Sequence, residues 1–108
     1  MKVLIKGIAA STGTAKGKAK VITPDNGQVL ENCEILVAHI TDASMFVDIM
    51  MNAKAVVTDM GGITSHPAIV SRELGIPSVV ATGNATKIIK TGMNIIVDGN
   101  KGVVYEQD

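Results

Sequence analysis

Three short apolar runs decide most of what this chain can fold into. Glu34 to Ala38 (EILVA), Ala55 to Thr58 (AVVT) and Ser78 to Ala81 (SVVA) are too short for helices and almost wholly apolar. Such runs read as buried strands. Helical patterns lie between them. Thr41-Asp42 is an N-cap signal ahead of Ala43 to Asn52, where Phe46, Val47, Met50 and Met51 recur at helical spacing. Pro67 to Leu74 reads as a second helix, closed by Gly75 and stopped by Pro77. Strand, helix, strand, helix, strand with short links implies parallel strands joined by right-handed crossovers.

The two ends add strands of another kind. Val3 to Ile8 and Lys18 to Ile22 are β-like, with the loop Ser11-Thr12-Gly13-Thr14 between them. Pro24-Asp25-Asn26-Gly27 is a turn signal, and Asn84-Ala85-Thr86 suits the cap of a short helical turn. Asn94 to Val97 and Gly102 to Tyr105 flank Asp98-Gly99-Asn100-Lys101, a hairpin with a four-residue connection. The expected fold is α/β: a small parallel sheet with crossover helices, plus an additional antiparallel β layer. At 108 residues, one domain spanning residues 1–108 is expected.

Composition narrows the function. The core must be aliphatic, since there is one Tyr, one Phe and no Trp. Lys plus Arg and Asp plus Glu both count 10, so neither the basic excess nor the stacking aromatics of a nucleic-acid binder is present. No apolar run approaches a membrane span, and MKVLIKGIAAS reads as a strand, not a signal peptide. Cys33 is the single cysteine, which excludes an internal disulfide and fits a cytoplasmic setting. It has no His or Cys at metal spacing, so no metal is assigned.

The chemistry concentrates in Asp59-Met60-Gly61-Gly62-Ile63-Thr64-Ser65-His66-Pro67, between the carboxyl end of a buried strand and a helix start. In parallel sheets ligands gather at that edge. Gly61 and Gly62 allow backbone conformations that other residues resist and let main-chain N–H groups approach an anion. Thr64 or Ser65 suits the helix cap, and either hydroxyl can donate to a phosphate oxygen. Pro67 suits the first helical turn. His66 falls at or beside the N-cap, where the helix dipole favours neutral imidazole, which keeps a lone pair for attack on phosphorus. The same dipole then stabilises the phosphoryl charge. On residues alone, a His after a Gly-rich loop is more often a structural cap or a packed core residue, and both readings stay open.

The segment GGITSHPAIVSRELGIPSVVATGNAT resembles the signature of the mobile, or swivelling, phosphohistidine domain of phosphoenolpyruvate-utilising enzymes. That family includes phosphoenolpyruvate synthase, pyruvate phosphate dikinase and enzyme I of the sugar phosphotransferase system. GIAASTGTAKGKAKVI, EILVAHITDASM and TGMNIIVDGNKGVVY resemble its opening, middle and closing segments, so the likeness covers nearly the whole chain. It implies a swivelling β/β/α domain whose phosphorylated residue is His66. Thr64 and Ser65 match the pair before that histidine, Gly61 and Gly62 the glycine pair, and Arg72 the Arg of a common Ser-Arg-Glu triplet. Pro67 departs from the Ala more usual there. The resemblance also implies partners: an ATP-grasp nucleotide-binding domain and a phosphoenolpyruvate-binding barrel. Mg and ATP would be held there, with no cofactor on this chain.

Plainer roles stand beside these. Arg72 lies six residues after His66, about 120° around the helix, which favours a surface ion pair or a docking contact over direct catalysis. Asp59 can orient a loop group or satisfy turn N–H groups. His39 reads as a loop residue, and Met45, Met50 and Met51 as core and helix-surface filling. Met1 and the charged end Glu106-Gln107-Asp108 look like natural termini, favouring a free-standing carrier over an excised domain. The expected function is a phosphohistidine carrier with an exposed His66. The alternatives are a non-catalytic interaction or regulatory module of the same fold, and a domain binding a phospho-ligand non-covalently.

Overall fold

A computed structural model describes residues 2–22, 34–39 and 51–107. The predicted helix over 43–52 lies almost wholly outside them, as do the 24–27 turn, Cys33, Met45 and Met50. Within them the chain runs β1 (Lys2–Lys6), β2 (Ile8–Ser11), β3 (Thr14–Ile22), β4 (Glu34–Ala38), β5 (Ala53–Thr58), α1 (His66–Leu74), β6 (Ser78–Val80), α2 (Ala85–Ile88), β7 (Asn94–Asp98) and β8 (Val103–Glu106).

The three apolar runs form β4, β5 and β6, paired parallel as their spacing requires. Alternate residues serve two cores. Ile35, Val37, Ala55, Val57 and Val79 face a core shared with Ile95, Val97 and Val104. Leu36, Ala38 and Val56 face the opposite way, packed with Val70 of α1, while Val80 packs with Ala68. Burial on both faces is why these runs show no polar alternation.

The eight strands hydrogen-bond in the order β1-β8-β7-β3-β4-β5-β6-β2. The antiparallel strands are therefore a continuation of the parallel ones through β3, not a detached layer. Thr14 to Lys18 pair antiparallel with β7, and Ala19 to Ile22 pair parallel with β4. That parallel pairing corrects the expectation that all strands from the two ends are antiparallel. The β7–β8 hairpin forms as predicted.

The run Val3 to Ile8 is also corrected, because it breaks at Gly7 into two strands at opposite ends of the sheet order. In a flat sheet those ends would stand about 34 Å apart. One residue cannot span that, so the sheet curls back on itself and Gly7 closes the seam. Its N–H donates to Gly102 O (2.8 Å), and a Cβ there would meet Val80 O at 2.4 Å. Among the described residues no helix is long and apolar enough to cross a membrane.

Candidate functional site

β4 and β5 run parallel, so their carboxyl ends and following loops share one edge. The stem of the β5–α1 loop is fixed from both sides. Asp59 N donates to Ala38 O (3.0 Å) and Met60 N to His39 O (2.9 Å). On the other side Thr82 N donates to Thr58 O (3.1 Å) and Gly83 N to Asp59 O (2.9 Å). The Asp59 side chain is buried at 3% exposure. Its Oδ1 accepts from Thr86 N (2.9 Å), and its Oδ2 accepts from the Thr86 hydroxyl (2.5 Å) and pairs with His39 Nδ1 (3.0 Å). Burial pushes its carboxyl up. The Thr86 hydroxyl, the His39 ring and the Thr86 N–H together outweigh that and hold it below the usual carboxylate range. Asp59 thus does more than satisfy a local turn, and His39 is more than loop filling.

The loop then opens. Gly61 adopts φ 112°, a conformation that favours glycine, and a Cβ there would meet Ser65 Oγ at 2.9 Å. Gly62 is different: its φ is not in that region, and a Cβ would meet nothing within 4 Å. The two expected roles of the glycine pair are therefore divided, with the tight backbone at Gly61 and open space at Gly62.

Ser65 occupies the N-cap position with extended backbone, but its hydroxyl makes no cap hydrogen bond. It donates backwards to Gly62 O (2.6 Å), which also accepts Ser65 N (3.0 Å). This corrects the expectation that Ser65 caps the helix through its side chain: the tight turn at Gly62 captures the hydroxyl first. The start of α1 has no acidic residue and carries Pro67 in its first positions. Its positive end is therefore not offset by a carboxylate of its own first turn. Thr64 is exposed beside it.

His66 opens α1 and is half-buried, with Nε2 enclosed and without a hydrogen-bond partner. The sequence predicts an exposed His66; the residue is partly exposed, and Nε2 is its enclosed atom. A buried bare lone pair is better tolerated than a buried orphan N–H. In the tautomer that carries its proton on Nδ1, Nε2 presents that lone pair.

Arg72 lies in the last turn of α1, which ends in Gly75 at φ 71°. Its guanidinium faces backbone, donating from Nη1 to Ala10 O (2.8 Å) and from Nη2 to Ile63 O (2.7 Å). Around the loop, Met60, Ile63 and Ile69 are exposed apolar side chains.

With this geometry in view, the family model for "PEP-utilising enzyme, mobile domain" matches residues 30–102. The chain belongs to that family. The mobile domain is 53% identical to a "Probable phosphoenolpyruvate synthase" of Staphylothermus marinus, over 97% of this chain and 13% of that protein. It is 50% identical to the "Phosphoenolpyruvate synthase" of Pyrococcus furiosus, again over 97% of this chain and 13% of that protein. The chain thus spans about an eighth of the length of these curated relatives. Among solved structures, an Enzyme I protein determined by NMR matches with a TM-score of 0.67 at 37% identity. That match covers 76% of this chain and 34% of that one. An aconitase X from Thermococcus kodakaraensis shares the fold, with a TM-score of 0.71 at 22% identity over 96% of this chain and 98% of that one.

Proposed function

We propose that this mobile domain is a phosphohistidine carrier, moving between a nucleotide site and a phosphoenolpyruvate or pyruvate site on partner domains. The observation that carries the reading is His66 Nε2. It bears no hydrogen bond, and it belongs to the first residue of a helix whose N-terminus has no side-chain cap. The Nε2 lone pair attacks phosphorus. The N–P bond forms as the donor's P–O bond breaks, and the donor oxygen leaves with the electron pair. Nδ1 keeps its proton throughout. In the second half-reaction an acceptor oxygen attacks phosphorus and the N–P electrons return to the ring. Gly62 leaves room for the phosphoryl group, Thr64 can donate to one of its oxygens, and the start of α1 stabilises its charge.

In its present pose the ring shields Nε2, so each transfer requires an outward turn of the imidazole. The exposed Met60, Ile63 and Ile69 form the rim that meets each partner in turn. The phosphoenolpyruvate synthase names of the relatives, and the small fraction of their length matched, support partner domains elsewhere in a larger enzyme. An ATP-grasp domain that holds Mg and ATP, and a phosphoenolpyruvate-binding barrel, are the partners proposed. The domain swivels between them.

The test supplies labelled phosphoenolpyruvate or ATP together with those partner domains. Acid-labile, alkali-stable label on this chain is expected, and none on His66→Ala. The isolated chain should show negligible turnover with ATP and pyruvate. Tight binding of phosphorylated ligands without label would favour a non-covalent binding domain instead.

A further inference from the structure

The contacts of Arg72 have a consequence for the loop that bears His66. Ala10 lies where the pairing of β2 with β6 slips register, between Ala9↔Val79 and Ser11↔Ser78. Such an irregularity leaves a residue outside the regular ladder. The Ala10 carbonyl is taken instead by Arg72 Nη1 at 2.8 Å. Nη2 of the same guanidinium reaches Ile63 O at 2.7 Å, three residues before His66. Ile63 and Thr64 are exposed, and the backbone bonds beside them are local ones, Ser65 to Gly62 O and Ile69 N to Ser65 O. One planar cation therefore joins the tip of the loop to an edge strand of the sheet.

We propose that Arg72 is a positioning residue that sets the Ile63–Ser65 turn by bridging it to the irregular segment of β2. A guanidinium suits this task because its donors form a rigid fork that meets two carbonyls at once. A lysine ammonium is a point charge on a flexible stem. Two of its nitrogens already face backbone oxygens, so any ion pair or phosphate contact would have to use the three N–H groups that remain. With the bridge in place, Thr64 and the start of α1 are held at a fixed distance from the ring of His66. Misplacement of such groups by an ångström slows chemistry by up to about 100-fold.

The effect on transfer rests on the carrier role of His66; the effect on the loop does not. The experiment uses the chain with and without its phosphoryl-donating partner, as wild type, Arg72→Lys and Arg72→Ala. In the unphosphorylated chain, amide hydrogen exchange at Ser65, whose N–H is held by Gly62 O, should quicken in both variants while the strands keep wild-type protection. With donor, single-turnover labelling of His66 should fall roughly ten- to 100-fold. Millimolar guanidinium should restore part of it in Arg72→Ala, and Arg72→Lys should not recover it. Slower labelling with unchanged exchange at Ser65 would make Arg72 a phosphate or docking contact and overturn the proposal. So would unchanged exchange together with unchanged labelling. If wild type takes no label at all, the carrier reading fails, and the exchange measurement still decides the bridge.

Discussion

Two loops of this molecule begin with an aspartate at a strand end and carry two glycines, yet the glycines answer to different demands. In the β7–β8 turn, Asp98 Oδ1 accepts Asn100 N (2.9 Å) and Lys101 N (3.1 Å), which is local turn chemistry. Its glycines permit close packing. A Cβ at Gly99 would meet Ser11 O at 1.9 Å, and one at Gly102 would meet Gly7 O at 2.7 Å. In the β5–α1 loop, Asp59 reaches side chains 20 and 27 residues away, Gly61, like Gly102, takes a positive φ, and Gly62 borders open space. Glycine that lets protein approach protein marks the seam of the sheet. Gly62 faces nothing, and under the carrier reading proposed above that space takes the phosphoryl group.

Substitutions can break this contrast. Gly99→Ala should have the largest effect on stability, since the added methyl meets backbone that must shift. A loss of about 3 kcal/mol is expected from denaturant unfolding. The surviving folded fraction should keep its labelling of His66. Gly61→Ala should cost about 1–3 kcal/mol through the left-handed φ, and labelling should slow because Ser65 is displaced. A wild-type unfolding midpoint for either variant would remove its glycine from the account.

Asp59→Ala should cost roughly 1–3 kcal/mol, since it removes hydrogen bonds to a charged acceptor. The pH dependence sharpens this prediction. The folded carboxyl lies below its unfolded value of about 4, so its contribution is complete above that pH. It is lost as pH falls further, through the folded value. Acid unfolding curves of the wild type should show this extra limb and those of Asp59→Ala should lack it; identical acid limbs would deny Asp59 its role. The smallest stability effect belongs to Gly62→Ala, within about 0.5 kcal/mol, because its Cβ meets nothing. Its labelling rate should nevertheless drop. Unchanged labelling would mean that the space above Gly62 is not the phosphoryl site.

What was legible in the sequence was local. EILVA, AVVT and SVVA announce β4 to β6 because continuous burial leaves a continuous apolar run. Pro67 and Gly75 bracket α1 because each acts on its own turn. The features that escaped depend on residues far apart in the chain. Gly7 breaks a β-like run because of Val80 and Gly102, the first half of β3 meets β7, and its second half turns parallel to β4. In the site, the positions of His66 and Ser65 at the head of α1 could be read, but the direction of the Ser65 hydroxyl could not. Nor could the difference between Gly61 and Gly62, which lies in one backbone angle. The Asp59–Thr86–His39 cluster and the grip of Arg72 on Ala10 carried no motif at all, since nothing near either residue in sequence encodes its partner.

The central claim is that phosphoryl transfer runs through His66. The most direct measurement is mass spectrometry under alkaline conditions on the chain after reaction with its donor partner, localising the added group in wild type, His66→Ala and His39→Ala. One phosphoryl group on His66 in wild type and in His39→Ala, and none in His66→Ala, is the predicted result. A phosphoryl group retained by folded His66→Ala, or found on His39, would contradict it.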